Sequence, residues 1–409
     1  MTKRILKIIP KILLVLLIVT SIFSETRMYE MLSELYIGKF VIVVILGAFL
    51  FSMIVLQRQN RWIKSSIRGT SLAFVIWVFF MIISLFNAPY PVSGALLIIS
   101  YVFLFLLAFI LMPNYFKKES SYLTYNKLFW GSVLFSLMLS VALSIKDPAS
   151  FDIFGNRFRY QAFFRNPNCL GAFSVLGIFT SIQMYAITHQ KKYLVVIIPL
   201  LCMVYFSDSR ASMIAIAVTL SMIVYLVFRE RCKGTTRNLS GTTIFIALVI
   251  LLVLGSIFVH SFTWDTMNKV TSLRLFYWTR AIKSLENFEW FFGQGLGRES
   301  IGSLSFDNYY FSTLIQIGLL GLLSFIMFLL SIVFFFGRQL NCKPHDKGLQ
   351  ISFIYLIAIM VYSMFEDTLF SLGNILSIYL WTNIGYQMAK GIRTMNTLHG
   401  GAILRGRNE

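Results

Sequence analysis

The sequence predicts an all-α polytopic integral membrane protein that forms a single membrane domain over 1–409. Three observations carry this expectation. Of the 409 residues, 57% are hydrophobic and only 13% are charged, more apolar surface than a water-soluble chain of this length can hide. The apolar residues collect in separate runs of roughly the length a helix needs to cross the hydrocarbon core. The basic residues sort to alternate connecting segments, as they do in chains that cross a bilayer repeatedly.

The runs lie near 12–24, 39–56, 70–86, 92–112, 128–145, 168–188, 193–207, 211–228, 242–262, 307–336, 349–368 and 371–389, which gives about twelve transmembrane helices. Lys3, Arg4, Lys7 and Lys11 precede the first run as in a secretory signal, but no A-x-A-like site follows, so it is read as a retained first helix. With the N-terminus in the cytoplasm, two thirds of the 36 Lys and Arg fall in inner segments. Only the acids Glu119, Glu230, Asp346 and Glu409 join them. Both termini are therefore placed in the cytoplasm. This sorting accounts for the formal charge of +19, which on a soluble protein would point to nucleic acid; no nucleic-acid partner is expected. Cys169, Cys202, Cys232 and Cys342, and His189, His260, His345 and His399, show neither a disulfide framework nor a metal spacing. No pair of similar halves, common in transporters, is visible.

An outer face should be poor in Lys and Arg, so arginines there need a reason. The first group lies in an outer loop over 146–167, where Arg157, Arg159 and Arg165 stand among Phe158, Tyr160, Phe163 and Phe164. It is either a solvated loop with an interfacial aromatic belt or a substrate-binding one. The second is Ser207-Asp208-Ser209-Arg210, a hairpin with almost no loop, which puts Arg210 at the membrane mouth. A charge near mid-membrane costs about 2.5–3.5 kcal/mol on the insertion scale, so Arg210 has a function or pairs locally with Asp208. The third is a large outer loop over 263–306 with an interfacial amphipathic helix: Leu273, Tyr277, Ala281 and Leu285 recur at helical spacing. Arg274 and Trp278, four apart, share a face, while Arg280 points elsewhere with Lys283 one turn on. Gly293, Gly295 and Gly297 follow; with no strand before them a dinucleotide site is rejected in favour of a tight turn. Asp307 and Asn308 open the next span, where Asp307 is either a helix N-cap or a carboxylate at a pocket floor. Glu366 and Asp367 are read as a turn.

Arginines with few acids around them suit an anion, because guanidinium forks grip phosphate oxygens in pairs. An anion already resident in the membrane is a polyprenyl diphosphate. The arginines would stabilise it as a leaving group, and Asp307 would take a proton from a sugar hydroxyl. The carboxylate cluster expected for a divalent metal is missing, and no cofactor is expected.

From about Asn156 to Gly321 the chain resembles the O-antigen polymerase and O-antigen ligase superfamily. The resemblance rests on N-P-N-C-L-G-A-F (166–173), S-D-S-R-A-S (207–212), R-L-F-Y-W (274–278), F-F-G-Q-G-L-G (291–297) and D-N-Y-Y-F-S-T-L-I-Q-I-G-L-L-G (307–321). It implies a metal-independent glycosyltransferase of C-type (GT-C-like) architecture in the bacterial cytoplasmic membrane, with its active site on the outer face. Donor and acceptor are then undecaprenyl-diphosphate-linked glycans, and chain-length regulator and flippase proteins are implied partners. Arg210 and Arg274 match the family's functional arginines and, with Asp307, are the catalytic candidates. Arg157, Arg159, Arg165, Arg280, Trp278 and Asn308 are the substrate-binding candidates. Asp307 stands where ligases of the family carry His in an H-N pattern, which favours a polymerase of surface, capsular or exopolysaccharide. A ligase and a lipid-linked oligosaccharide flippase stay open as alternatives. A flippase should carry charges through a central cavity, whereas here they gather at one face.

Overall fold

In the computed structural model of the chain, the described residues are 2–27, 41, 44–45, 47–48, 68–116, 119–145, 147, 150–154, 157–231, 274–297, 300–301, 304–371 and 374–405. The run near 242–262, most of the run near 39–56 and the beginning of the 263–306 loop, Leu273 included, lie outside them.

Where the apolar runs can be followed, they are helical. Among the described residues, six helices are long and apolar enough to cross a membrane: Arg68–Asn87, Pro91–Tyr115, Glu119–Ser144, Pro167–Thr188, Arg210–Val227 and Tyr309–Cys342. Shorter apolar helices cover Lys11–Phe23, Lys192–Ser207 and Lys347–Tyr362. In chain order we label α1 (Thr2–Phe23), α2 (Arg68–Ser84), α3 (Pro91–Tyr115), α4 (Glu119–Ser144), α5 (Pro167–Thr188), α6 (Ile197–Ser207), α7 (Arg210–Arg231), α8 (Arg274–Lys283), α9 (Tyr309–Cys342), α10 (Lys347–Tyr362) and α11 (Ile375–Arg405). The fold departs from all-α at two hairpins. Strand β1 (Phe151–Phe154) pairs antiparallel with β2 (Arg157–Tyr160), and β3 (Ser300–Ile301) with β4 (Leu304–Ser305). Both fall in the expected outer loops. F-D-I-F and R-F-R-Y alternate with period two and are rich in aromatics, so a ribbon satisfies their backbone where no helical stripe exists.

Helix ends are set locally. Asn166 (φ −152°) accepts from the Cys169 N–H at 2.9 Å, and Pro167 follows at the first helical position, where its missing N–H costs nothing. Asp346 caps α10 through the Leu349 N–H at 3.1 Å. His189 and Asp208 close α5 and α6 in the left-handed region, at φ 57° and 48°.

The bundle interior is aromatic. Trp77 and Trp381 are fully buried among Phe105, Phe109, Phe325, Phe328 and Phe370, and Phe74 stacks on Phe105 at 4.1 Å. A second, polar seam ties α4 to α11 and α5. Tyr122 meets Asn383, Tyr125 meets Thr382, the Tyr379 hydroxyl donates to Asn126 at 2.9 Å, and the Gln183 amide donates to the Tyr122 hydroxyl at 3.1 Å. In lipid such bonds are each worth about 0.6 kcal/mol, and together they fix helix register.

The connections separate into two groups. The described residues of 24–27, 85–90, 144–168, 207–210, 274–308 and 363–371 meet at one end of the bundle: Arg27 bonds Asp147, Arg159 reaches Ser207, Asn168 reaches Glu366, Asn87 reaches Gly293 and the Tyr309 N–H donates to Ser363. The opposite end carries the Lys390–Asp346 pair. The segments expected on the outer face thus share one end of the molecule.

Candidate functional site

The N-P-N corner builds the first wall. While Asn166 caps α5, Asn168 turns inward. Its Oδ1 accepts from Arg159 Nη2 at 2.7 Å, and its Nδ2 donates to Glu366 Oε1 at 2.8 Å. Arg159, at the end of the β1–β2 ribbon, also donates from Nε to the Ser207 carbonyl at 3.3 Å. Arg159 therefore ties the ribbon to the turn that leads into Arg210.

The second wall comes from α8 and the entry to α9. Arg274 Nη2 lies 3.3 Å from Asp307 Oδ2 and 3.9 Å from Glu366 Oε1, with side-chain exposures of 20%, 39% and 15% for Arg274, Asp307 and Glu366. The Arg274 Nε is buried and has no hydrogen-bond partner among the described residues. A buried guanidinium N–H without an acceptor costs about 1–3 kcal/mol, which an anion oxygen would recover. Burial first, and then the nearby Asp307 charge, push the Glu366 carboxyl up to about 8, against the pull of Arg274 and Arg159. Desolvation outweighs two guanidiniums here because only one of them, Arg274, belongs to an ion pair with Glu366, and that pair is long. Among the described residues, no three His, Cys, Asp or Glu gather as a metal site would need.

Asp307 is not the helix cap. Asn308 (φ −157°) takes that place and accepts from the Phe311 N–H at 2.9 Å. Asp307 sits just before it at φ 45°, a left-handed conformation that turns its carboxylate toward Arg274. Asn308, expected to bind substrate, thus commits its carbonyl to the helix terminus. Trp278 likewise anchors α8: its indole N–H donates to the Phe306 carbonyl at 3.0 Å and its ring stacks on Phe311. The buried side of α8 runs through Trp278, Ala281 and Leu285, so Tyr277 lies off the expected stripe. Arg280 and Arg165 are exposed. Arg210 opens α7 half-buried, directly after the turn held by Arg159. Arg157 pairs with Phe154 along the ribbon backbone, and its side chain lies outside the described residues.

The glycine segment does more than turn. Gly293, Gly295 and Gly297 all have positive φ. Helix α9 is broken at Gly318 (φ 78°, ψ −177°), and there the Gln294 and Gly295 N–H groups donate to the Ile315 and Gln316 carbonyls at 2.8 and 3.1 Å. A Cβ on Gly293 would stand 2.3 Å from the Gln316 backbone, and one on Gly318 equally close to Phe291. Irregular backbone of this kind is tolerated in a membrane protein where protein covers it. The segment fixes the short first part of α9, and with it Asp307 and Asn308.

Two residues of this site escaped the sequence reading. Glu366, read from the sequence as part of a turn, and Asn168, quoted there only within the N-P-N motif, both enter this site. Arg27, which bonds Asp147 and the Ala162 carbonyl at 2.6 Å each, is a third addition to the same end. One signal was available for Glu366: an acid in an apolar chain with 17 acids against 36 bases needs a partner.

Residues 195–326 match a family model described as O-antigen ligase, which bears out the resemblance to the O-antigen ligase and polymerase superfamily. Members of that family are glycosyltransferase-like membrane enzymes. The matched region holds Arg210, Arg274, Asp307 and the glycine segment, while Asn168 and Glu366 lie outside it. No curated protein matches the chain.

Proposed function

We propose that this chain, with its O-antigen ligase-like segment, is a polymerase that joins undecaprenyl-diphosphate-linked repeat units into surface polysaccharide at the outer face of the cytoplasmic membrane. The observation that carries the proposal is Arg274: a guanidinium with a buried, unpartnered Nε, set between two carboxyls at one end of an apolar bundle. Arg210 and Arg274 grip the diphosphate of the donor and stabilise it as it leaves. Asp307, the more exposed carboxyl, takes the proton from the acceptor hydroxyl. Fixed guanidinium charge here does what a divalent cation does elsewhere, and no metal is required. About twelve spans in a GT-C-like arrangement would hold the lipid tail beside the site, with both termini in the cytoplasm. Chain-length regulator and flippase proteins complete the system in which such a polymerase works.

A ligase is the second reading, favoured by the description of the family model itself. Against it stands Asp307 where the family's ligases carry His. The test is purified full-length protein given a lipid-diphosphate repeat unit, with and without a second glycan acceptor. Longer lipid-linked product supports the polymerase, transfer only to the second acceptor supports the ligase, and unchanged substrate refutes both and leaves transport.

A further inference from the structure

We propose that Glu366 works in its protonated form, donating a hydrogen bond to the departing diphosphate, so that the two carboxyls beside Arg274 have opposite roles. This deepens the proposed function and rests on its lipid-diphosphate donor. Asp307 touches Arg274 closely and is the more exposed of the two. Glu366 is more deeply buried, and its Oε1, held by the Asn168 amide at 2.8 Å, is too far from Arg274 Nη2 (3.9 Å) for a hydrogen bond. Oε1 is thereby fixed as an acceptor, and Oε2 is the atom that carries the proton. The unpartnered Arg274 Nε lies on the same guanidinium. An arriving anion would therefore meet a guanidinium N–H and a carboxyl O–H together.

A second ionised carboxylate would repel a diphosphate, whereas a neutral carboxyl adds a donor without charge. The groups facing Glu366 are Asp307, Arg274 and Arg159 from neighbouring segments, Asp367 beside it, and Cys169 and Tyr362 from α5 and α10. Burial and Asp307 outweigh the two arginines and keep the proton in place to about pH 8. The negative charge of the substrate would hold it more firmly still.

The step balances. The acceptor oxygen forms a bond to the anomeric carbon of the donor sugar, and the bond from that carbon to the phosphate oxygen breaks with its electron pair going to the diphosphate. The acceptor proton passes to Asp307, which then gives it up to solvent, while Glu366 keeps its own proton and shares it as a hydrogen bond with the departing diphosphate. The diphosphate leaves as the anion, so the net proton moves from the acceptor hydroxyl to solvent.

The test measures initial rates of chain extension by the full-length protein in lipid nanodiscs between about pH 6 and 10, for the wild type, Glu366→Gln and Glu366→Ala. The sign follows from the acid form being active: the wild-type rate falls as pH rises through about 8. Gln keeps a neutral donor, so Glu366→Gln retains activity within about tenfold and loses that alkaline fall. Glu366→Ala loses about 10²–10³-fold, as removal of a transition-state donor does elsewhere. A wild-type rate that climbs through pH 8 overturns the inference, as does a Gln variant that melts like wild type yet is as inactive as Ala. Absence of any wild-type product defeats the polymerase itself, and this inference with it.

Discussion

At the residue scale, the site needs a planar fork where a point charge would not do. Arg274 engages Asp307 through Nη2 and keeps a second donor, the buried Nε, without a protein acceptor among the described residues. Lysine has a single compact head and cannot reproduce that. Arg210→Lys and Arg274→Ala should each reduce chain extension by about 10²–10³-fold, the range for losing one oxyanion stabiliser. Asp307→Asn should match them, since the amide cannot accept a proton. Membrane insertion should be unaffected in all three. The readout is product length on a gel beside the amount of protein in the membrane fraction, and polymer of normal length from all three variants would refute the assignment. These three residues were legible from the chain alone because a charge at a membrane mouth is costly and invites a reason. Glu366 was not, because its meaning lies in Asn168, Arg274 and Asp307, which reach it from three other segments. Arg159 shows the converse: composition shows a guanidinium, but only the fold shows that Ser207 and Asn168 hold it.

At the element scale, the break in α9 decides where Asp307 stands. Its capping residue and its acid are neighbours with separable effects. Asn308→Ala removes the bond to the Phe311 N–H and should cost about 0.5–2 kcal/mol of stability. Asp307→Asn should leave the melting temperature nearly unchanged while activity is lost. Gly293→Ala and Gly318→Ala ask more of the chain. Each puts a side chain on a positive φ, costing about 1–3 kcal/mol, and each Cβ also meets backbone at 2.3 Å. Both should lower the melting temperature and the yield of monodisperse protein. Gly337→Ala is the control: it lies in the same helix with nothing within 4 Å of its Cβ, and should melt like wild type or slightly higher. Thermal unfolding followed by size-exclusion chromatography separates these outcomes, and equal behaviour of Gly318→Ala and Gly337→Ala would show that the break is dispensable. Helical runs were readable because hydropathy has a length requirement in lipid. The break was not, because it depends on carbonyls of α9 finding N–H groups in a loop that precedes it in sequence.

At the scale of the whole molecule, the sorting of charge and the gathering of loops are independent observations that agree. The alternation of Lys- and Arg-rich segments divides the connections into two sets, using sequence alone. The contacts of the folded chain divide them the same way: the described residues of 144–168, 207–210, 274–308 and 363–371 meet at the Arg274 end, and Asp346 and Lys390 meet at the other. The end that carries Arg274 should therefore face away from the cytoplasm. Two exposed positions report on this, Asn287 near the site and Gln190 in the turn after α5. In a background lacking Cys169, Cys202, Cys232 and Cys342, Asn287→Cys should react in intact cells with a thiol reagent that cannot cross the membrane. Gln190→Cys should react only after the membrane is opened. The reverse pattern would turn the site toward the cytoplasm and overturn the placement of a polymerase site on the outer face.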